Sequence, residues 1–241
     1  MTTLAQRISG VSGRIASAAE RAGRDPADVA LLAVSKTRPV DAIIEAASVG
    51  GMAAFAENRP QELAAKAEEL CELGLRWVLI GPLQTNKAGL AARWADQFQA
   101  LDSLHVAEAL DRRLQAIGRG LDVMIEVNTS AEPNKLGVAP DRALALAKGL
   151  TSCASLRPVG LMTMAVNSDE DEAVRACFRR LRAVQAQLRD EGVAGVGWDE
   201  LSMGMSSDFE LAIEEGSTMV RIGTALFGPR QLPLQASQRD G

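Results

Sequence analysis

Short, nearly uncharged apolar runs alternate along this chain with longer stretches whose apolar residues recur every three or four positions. The first run, ALLAVS at 30–35, is branched and uncharged, as a strand buried on both faces should be. Similar runs lie at 52–56, 75–80, 97–101, 122–127, 156–161, 198–202 and 218–222. The run at 198–202 is the least regular because it carries Asp199 and Glu200. Between them, 40–48, 60–73, 106–117, 140–150 and 170–189 read as amphipathic helices. Two begin with helix-start chemistry: Pro39 ahead of Val40 and Asp41, and Pro140 before Asp141. Leu4, Ile8, Val11 and Ile15 mark a further helix ahead of the first strand. Eight strand–helix units in 241 residues predict an α/β fold, a (β/α)8 barrel with an extra N-terminal helix. No linker or charge block divides the chain, so a single domain is expected over 1–241, frayed after residue 229.

Composition narrows the function classes. Apolar residues make up 47% of the chain, enough for a full core without metal or disulfide staples. Lysine and arginine total 26 against 31 acids, a net charge of -5, with no basic run. That balance argues against a nucleic-acid binder. No apolar stretch reaches membrane-spanning length. Cys71, Cys153 and Cys177 are odd in number and lack CxxC spacing, which reads as reduced thiols in a cytoplasmic protein. One histidine, His105, leaves no room for a multi-histidine metal site. Tyrosine is absent from the sequence, so no mechanism can use one from this chain. Residues 1–24 hold Arg7, Arg14, Arg21 and Arg24 but one acid, Glu20, a transit-peptide-like composition. The helical stripe favours a docked helix instead.

In a barrel, the chemistry sits at the C-terminal ends of the strands. Those positions are Lys36, Glu57 and Asn58, Gly81, Asp102 and Ser103, Asn128, Met162 and Thr163, 202–204, and Gly223 with Thr224. Almost all are polar or glycine, above an interior that reads as almost wholly apolar. Lys36 leaves a buried strand at a fixed point. It is either an ordinary solvated lysine or a partly desolvated amine able to form a Schiff base. The segment SMGMSSD at 202–208 supplies hydroxyls and a flexible backbone. RIGTALFG at 221–228 ends a strand in Gly223 and Thr224 and then turns into a short helix. Backbone N–H groups and a hydroxyl there could hold a phosphate, or the glycines could simply permit tight turns.

Taken together, these segments resemble the pyridoxal phosphate homeostasis proteins, relatives of the alanine racemase N-terminal barrel. The matching segments are AVSKT at 33–37, FAEN at 55–58 with Gln61 and Glu62, and Trp77 with IGPLQTNK at 80–87. VNTS at 127–130, KLG at 135–137, GLM at 160–162, SMGMSSD at 202–208 and GSTMVRIGT at 216–224 complete the set. Ala56, Arg59, Val78 and Leu79 depart from the family pattern.

The resemblance implies that Lys36 forms a Schiff base with pyridoxal 5'-phosphate. It implies that Ser202, Gly223 and Thr224 hold the phosphate and that Asn58 lies near the ring. Arg221 shares a strand face with Gly223. It would donate to the pyridine nitrogen, touch the phosphate, or pair with a barrel acid. Lys135 and Lys87 are rival amines. Lys87 opens a helix, where a cation is unfavourable, which suggests an anion or acid beside it. The function implied is a cytoplasmic, monomeric carrier in pyridoxal phosphate homeostasis, with transient contacts to apoenzymes. The alternatives are a weak pyridoxal-phosphate-dependent amino-acid racemase, or a cofactor-free Schiff-base aldolase that leaves Arg221 unexplained.

Overall fold

The computed structural model of the protein describes residues 2–132, 135–193 and 197–229. Its strands are β1 (Ala30–Val34), β2 (Ala54–Glu57), β3 (Arg76–Leu79), β4 (Gln97–Leu101), β5 (Leu121–Glu126), β6 (Leu156–Met162), β7 (Glu200–Ser202) and β8 (Met219–Ile222). They pair in chain order, all parallel, into a closed barrel. Parallel neighbours need a crossover, which helices supply here. These are α2 (Val40–Gly50), α3 (Pro60–Glu69), α4 (Ala88–Trp94), α5 (Leu104–Ala116), α6 (Pro140–Leu150), α7 (Asp171–Asp190) and α8 (Phe209–Glu214). The helix α1 (Leu4–Arg21) precedes the barrel, and α9 (Thr224–Phe227) follows β8. The tail expected to fray after residue 229 lies outside the described residues.

The least regular strand is also the shortest. β7 keeps three residues, and it meets β8 through one pair, Ser202 with Met219. The 60–73 stretch divides at Leu70 into α3 and a short 3-10 turn, Cys71–Leu73. Register shifts between Phe98 and Leu101 in β4, and between Pro158 and Gly160 in β6, mark local irregularities where an extra residue enters the strand.

The arginine-rich start of the chain is a docked helix. Thr3 accepts from the Gln6 N–H, and the Gln6 side chain returns to the Thr3 N–H, a capping box absent from the sequence reading. Leu4, Ile8, Val11 and Ile15 are buried, with α1 packed on α2, α8 and α9. The arginines serve this docking. Arg14 pairs with Glu210 at 2.7 Å and Arg21 with Glu214 at 2.8 Å. Arg7 donates to the Leu226 carbonyl and Arg24 to the Ile213 carbonyl.

The interior corrects one expectation. Leu32, Val34, Ala56 and Val78 fill the β1–β3 side with an apolar cluster. The β4–β8 side is polar: Gln97, Gln99, Glu126, Ser202 and Arg221 are all buried. In β4 the alternation sends Phe98 to the helix-facing core and leaves Gln97 and Gln99 on the opposite face. Among the described residues, no helix is long and apolar enough to cross a membrane. Cys153 and Cys177 are buried free thiols, while Cys71 is exposed.

Candidate functional site

The C-terminal ends of the strands form a polar rim, and Lys36 stands on it. Ser35 continues the β1 ladder, its N–H donating to the Ala56 carbonyl at 3.0 Å. Its hydroxyl points outward, donating to Glu57 Oε1 at 2.7 Å. Lys36 follows directly, in the turn at the C-terminal mouth of the barrel, one residue past a strand whose Leu32 and Val34 face the interior. Lys36 is half-buried. Thr37, the next residue, has φ +63°, an unusual conformation for a β-branched side chain.

Arg221 comes up from β8 beside β1, in register with Leu32. It is 4% exposed and hydrogen-bonded on several sides. Nη1 donates to the Ser202 carbonyl at 2.6 Å and to Ser202 Oγ at 2.7 Å. Nη2 donates to the Thr163 carbonyl at 2.7 Å. Burial lowers its pKa to about 10, opposed by the fields of Glu126 and Asp208, so it remains cationic near neutrality. No direct salt bridge joins Arg221 to an acid among the described residues; backbone carbonyls and a serine hold it.

The polar contacts continue through the barrel. Ser202 donates to Gln99 Oε1 at 2.7 Å, Gln99 Nε2 to Gln97 Oε1 at 2.8 Å, and Gln97 Nε2 to Glu200 Oε2 at 3.0 Å. Buried polar groups hold their place when each finds such a partner. Ser202 is fully buried in this chain of bonds. Its hydroxyl donates to Gln99 and accepts from Arg221.

Ser206 has the more suitable hydroxyl. It accepts the Ala225 N–H at 3.3 Å at the start of α9. The N–H groups of Gly223 and Thr224 meet no acceptor among the described residues. Gly223 turns the chain without crowding the rim; a Cβ there would lie 3.4 Å from Val34. Thr224, which carries one of these N–H groups, is exposed.

Asn58 ends β2, half-buried, and its side chain makes no hydrogen bond among the described residues. Gly81 is required beside it, since a Cβ would sit 2.1 Å from the Asn58 carbonyl oxygen. The rival amines separate. Lys135 Nζ is tied to Glu132 at 2.9 Å and to the Ala165 carbonyl at 3.0 Å. Lys87 caps α4, but the acid suggested beside it is not found among the described residues.

Two groups escaped the sequence reading. Glu126, 2% exposed at the end of β5, has its pKa raised to about 7. Burial is the main cause; Arg221 opposes it and Asp102 adds to it. Lys66, on α3, lies buried under the Lys36 turn. Among the described residues, no group of three or more His, Cys, Asp or Glu could hold a metal ion.

Fold and rim define a barrel of the alanine racemase kind, and the model of the family "Alanine racemase, N-terminal domain" matches residues 12–231. The chain is 44% identical over 237 residues to the pyridoxal phosphate homeostasis protein of Pseudomonas aeruginosa, covering 98% of this chain and 100% of that one. The Escherichia coli K12 protein of the same name is 40% identical over 233 residues, covering 95% and 98%. The chain belongs to the pyridoxal phosphate homeostasis protein family. Among solved structures, PipY of Synechococcus elongatus with PLP bound matches at TM-score 0.79 and 38% identity, covering 90% and 100%. An alanine racemase of Clostridium difficile shares the fold at TM-score 0.69 and 17% identity, covering 95% of this chain but 58% of that one.

Proposed function

We propose that this chain binds pyridoxal 5'-phosphate as a Schiff base on Lys36 and serves as a carrier in the cofactor's homeostasis. The observation that carries this reading is the donor set on one rim. A half-buried amine at the end of β1, a buried guanidinium, and the Gly223 and Thr224 N–H groups, which meet no acceptor among the described residues, match the aldehyde, pyridine nitrogen and phosphate of that cofactor. When bound, the cofactor supplies an aldehyde for an amine and a ring that can withdraw electrons.

Each residue then has a task. Lys36 provides the amine, and Asn58 offers its amide toward the ring. Gly223, Thr224 and Ser206 hold the phosphate with backbone and hydroxyl donors. Arg221 faces the ring nitrogen as a donor. Its guanidinium keeps its own proton, so the nitrogen remains unprotonated and the ring a weak electron sink. Ser202 and Thr163 fix Arg221 in place. That arrangement suits holding the cofactor more than driving amino-acid chemistry. A racemase also needs a second positioned acid or base for the α-proton. Tyrosine is absent from the sequence, and the relatives carry a homeostasis name.

We further read the 241 residues as one domain, a cytoplasmic monomer that meets apoenzymes transiently. Its buried free thiols support the reducing compartment. The test is α-proton exchange in heavy water with cofactor-loaded protein and a panel of amino acids. The carrier reading expects no enzyme-like turnover. Exchange at about 1 per second or faster, lost in Lys36→Ala, would establish a racemase instead.

A further inference from the structure

The turn that presents Lys36 is held in an unfavourable shape by two side chains from α3. Residues 35–38 form a β-turn in which the Arg38 N–H donates to the Ser35 carbonyl at 3.0 Å. Lys36 and Thr37 occupy its two central positions, and Thr37 has φ +63°. Turns of this kind favour glycine or asparagine at the second central position, and a β-branched residue there is strained. Such strain persists only where the surroundings over-determine it.

The surroundings do so on both sides of Lys36. Lys66, 7% exposed, donates from Nζ to the Ser35 carbonyl at 2.9 Å. The same ammonium bridges Glu57 Oε1 at 2.8 Å and Glu62 Oε1 at 2.7 Å. Glu62 Oε1 in turn accepts the Thr37 N–H at 2.7 Å. The peptide groups before and after Lys36 are thus joined to one ion pair. We propose that Glu62 and Lys66 are positioning residues, holding this turn so that the Lys36 amine meets the cofactor aldehyde. This rests on the function proposed above and adds residues to it that never touch the ligand.

Two ligands separate positioning from general damage. Pyridoxal 5'-phosphate has the aldehyde, whereas pyridoxine 5'-phosphate has an alcohol and binds through ring and phosphate contacts alone. Glu62 is part-exposed, so Glu62→Ala should fold. The expected result is at least a tenfold loss of affinity for pyridoxal 5'-phosphate, the scale of a lost charge-assisted hydrogen bond, with pyridoxine 5'-phosphate changed less than about twofold. Glu62→Gln keeps an acceptor for the Thr37 N–H and should recover part of the loss. Adding Thr37→Gly to Glu62→Ala should also recover part, because glycine adopts positive φ without help. In the ligand-free chain, the Thr37 amide should exchange faster in Glu62→Ala than in wild type.

Equal losses for both ligands, or no loss for either, would overturn the positioning role. So would a Thr37 amide unaffected by Glu62→Ala. Peptide mapping of borohydride-reduced wild type separates the two levels. A label on another amine overturns the proposed function, and the positioning role with it. A label on Lys36 with no effect of Glu62→Ala overturns the positioning role alone.

Discussion

The two sides of the barrel interior are built from opposite materials. From β1 to β3, Leu32, Val34, Ala56 and Val78 make an apolar wall beneath Lys36. From β4 to β8, Gln97, Gln99, Ser202 and Arg221 are joined by hydrogen bonds, ending at Glu200. The apolar wall gives the lysine-bearing strand a dry, packed footing. The polar wall makes it possible to bury a guanidinium, whose donors would cost several kcal/mol if left without partners. The guanidinium thus draws its support from inside the barrel. The lysine's own support lies outside the barrel, in the Glu57–Lys66–Glu62 cluster.

The strongest way to break this contrast is Arg221→Met. It leaves the Ser202 and Thr163 carbonyls and the Ser202 hydroxyl without their donor. A loss of about 3–5 kcal/mol is expected by urea denaturation, since each buried acceptor left unsatisfied costs about 1–3 kcal/mol. Full stability in that variant would show that the polar wall is not organised around the guanidinium.

On the apolar side, Leu32→Ala should cost about 2–5 kcal/mol through lost burial and a cavity. The ionic clamp outside the barrel is untouched by that change, so the Lys36 turn should keep its shape. Thr37 amide protection beyond that expected from the stability loss would have to persist; its disappearance would make the two supports one unit.

Glu126 sharpens the comparison through pH. Its folded pKa, about 7, lies above its ordinary 4.5. Between those values the folded chain keeps a proton that the unfolded chain has released. This contribution is full below about pH 4.5 and is lost as pH rises through about 7, worth about 3 kcal/mol at most. Glu57, Glu200 and Asp208 are raised as well, chiefly by burial, and add slopes of the same sign. Glu126→Gln should flatten the stability profile over that window. An unchanged profile would mean Glu126 is ionised in the folded chain.

The smallest effect separates two serines. Ser206→Ala should weaken pyridoxine 5'-phosphate binding roughly tenfold, by about 1.5 kcal/mol, with little change in stability. Ser202→Ala should instead lower stability by about 1 kcal/mol and affect the phosphate little. The reverse pattern would return the phosphate role to Ser202.

Much of the architecture was legible because doubly buried parallel strands write themselves as uninterrupted apolar runs. The placement of Lys36, Gly223 and Thr224 just past strand ends was legible for a related reason: they close such runs. The polar wall was harder to see. Gln97 and Gln99 straddle Phe98, and that alternation signals two unlike faces, but the usual apolar barrel core masked it. Among the serines of 202–208, spacing alone does not say which hydroxyl faces the rim. Strand parity puts Ser202 on the face of Glu200, inside the barrel, where its hydroxyl meets Gln99 and Arg221. Lys66 was illegible because two of its three partners, the Ser35 carbonyl and Glu57, come from segments that only folding brings to α3. Of the departures from the family pattern, Ala56 and Val78 lie in the apolar wall and Arg59 on the exposed start of α3.

The central claim is that Lys36 is the amine that holds the cofactor. Its most direct test is borohydride reduction of protein loaded with pyridoxal 5'-phosphate, followed by digestion and mass mapping of the labelled peptide. One dominant label on Lys36 is expected, and in Lys36→Ala a loss of label with residual phosphate-driven binding. A dominant label on Lys135, Lys87 or Lys66, or undiminished labelling of Lys36→Ala, would contradict it.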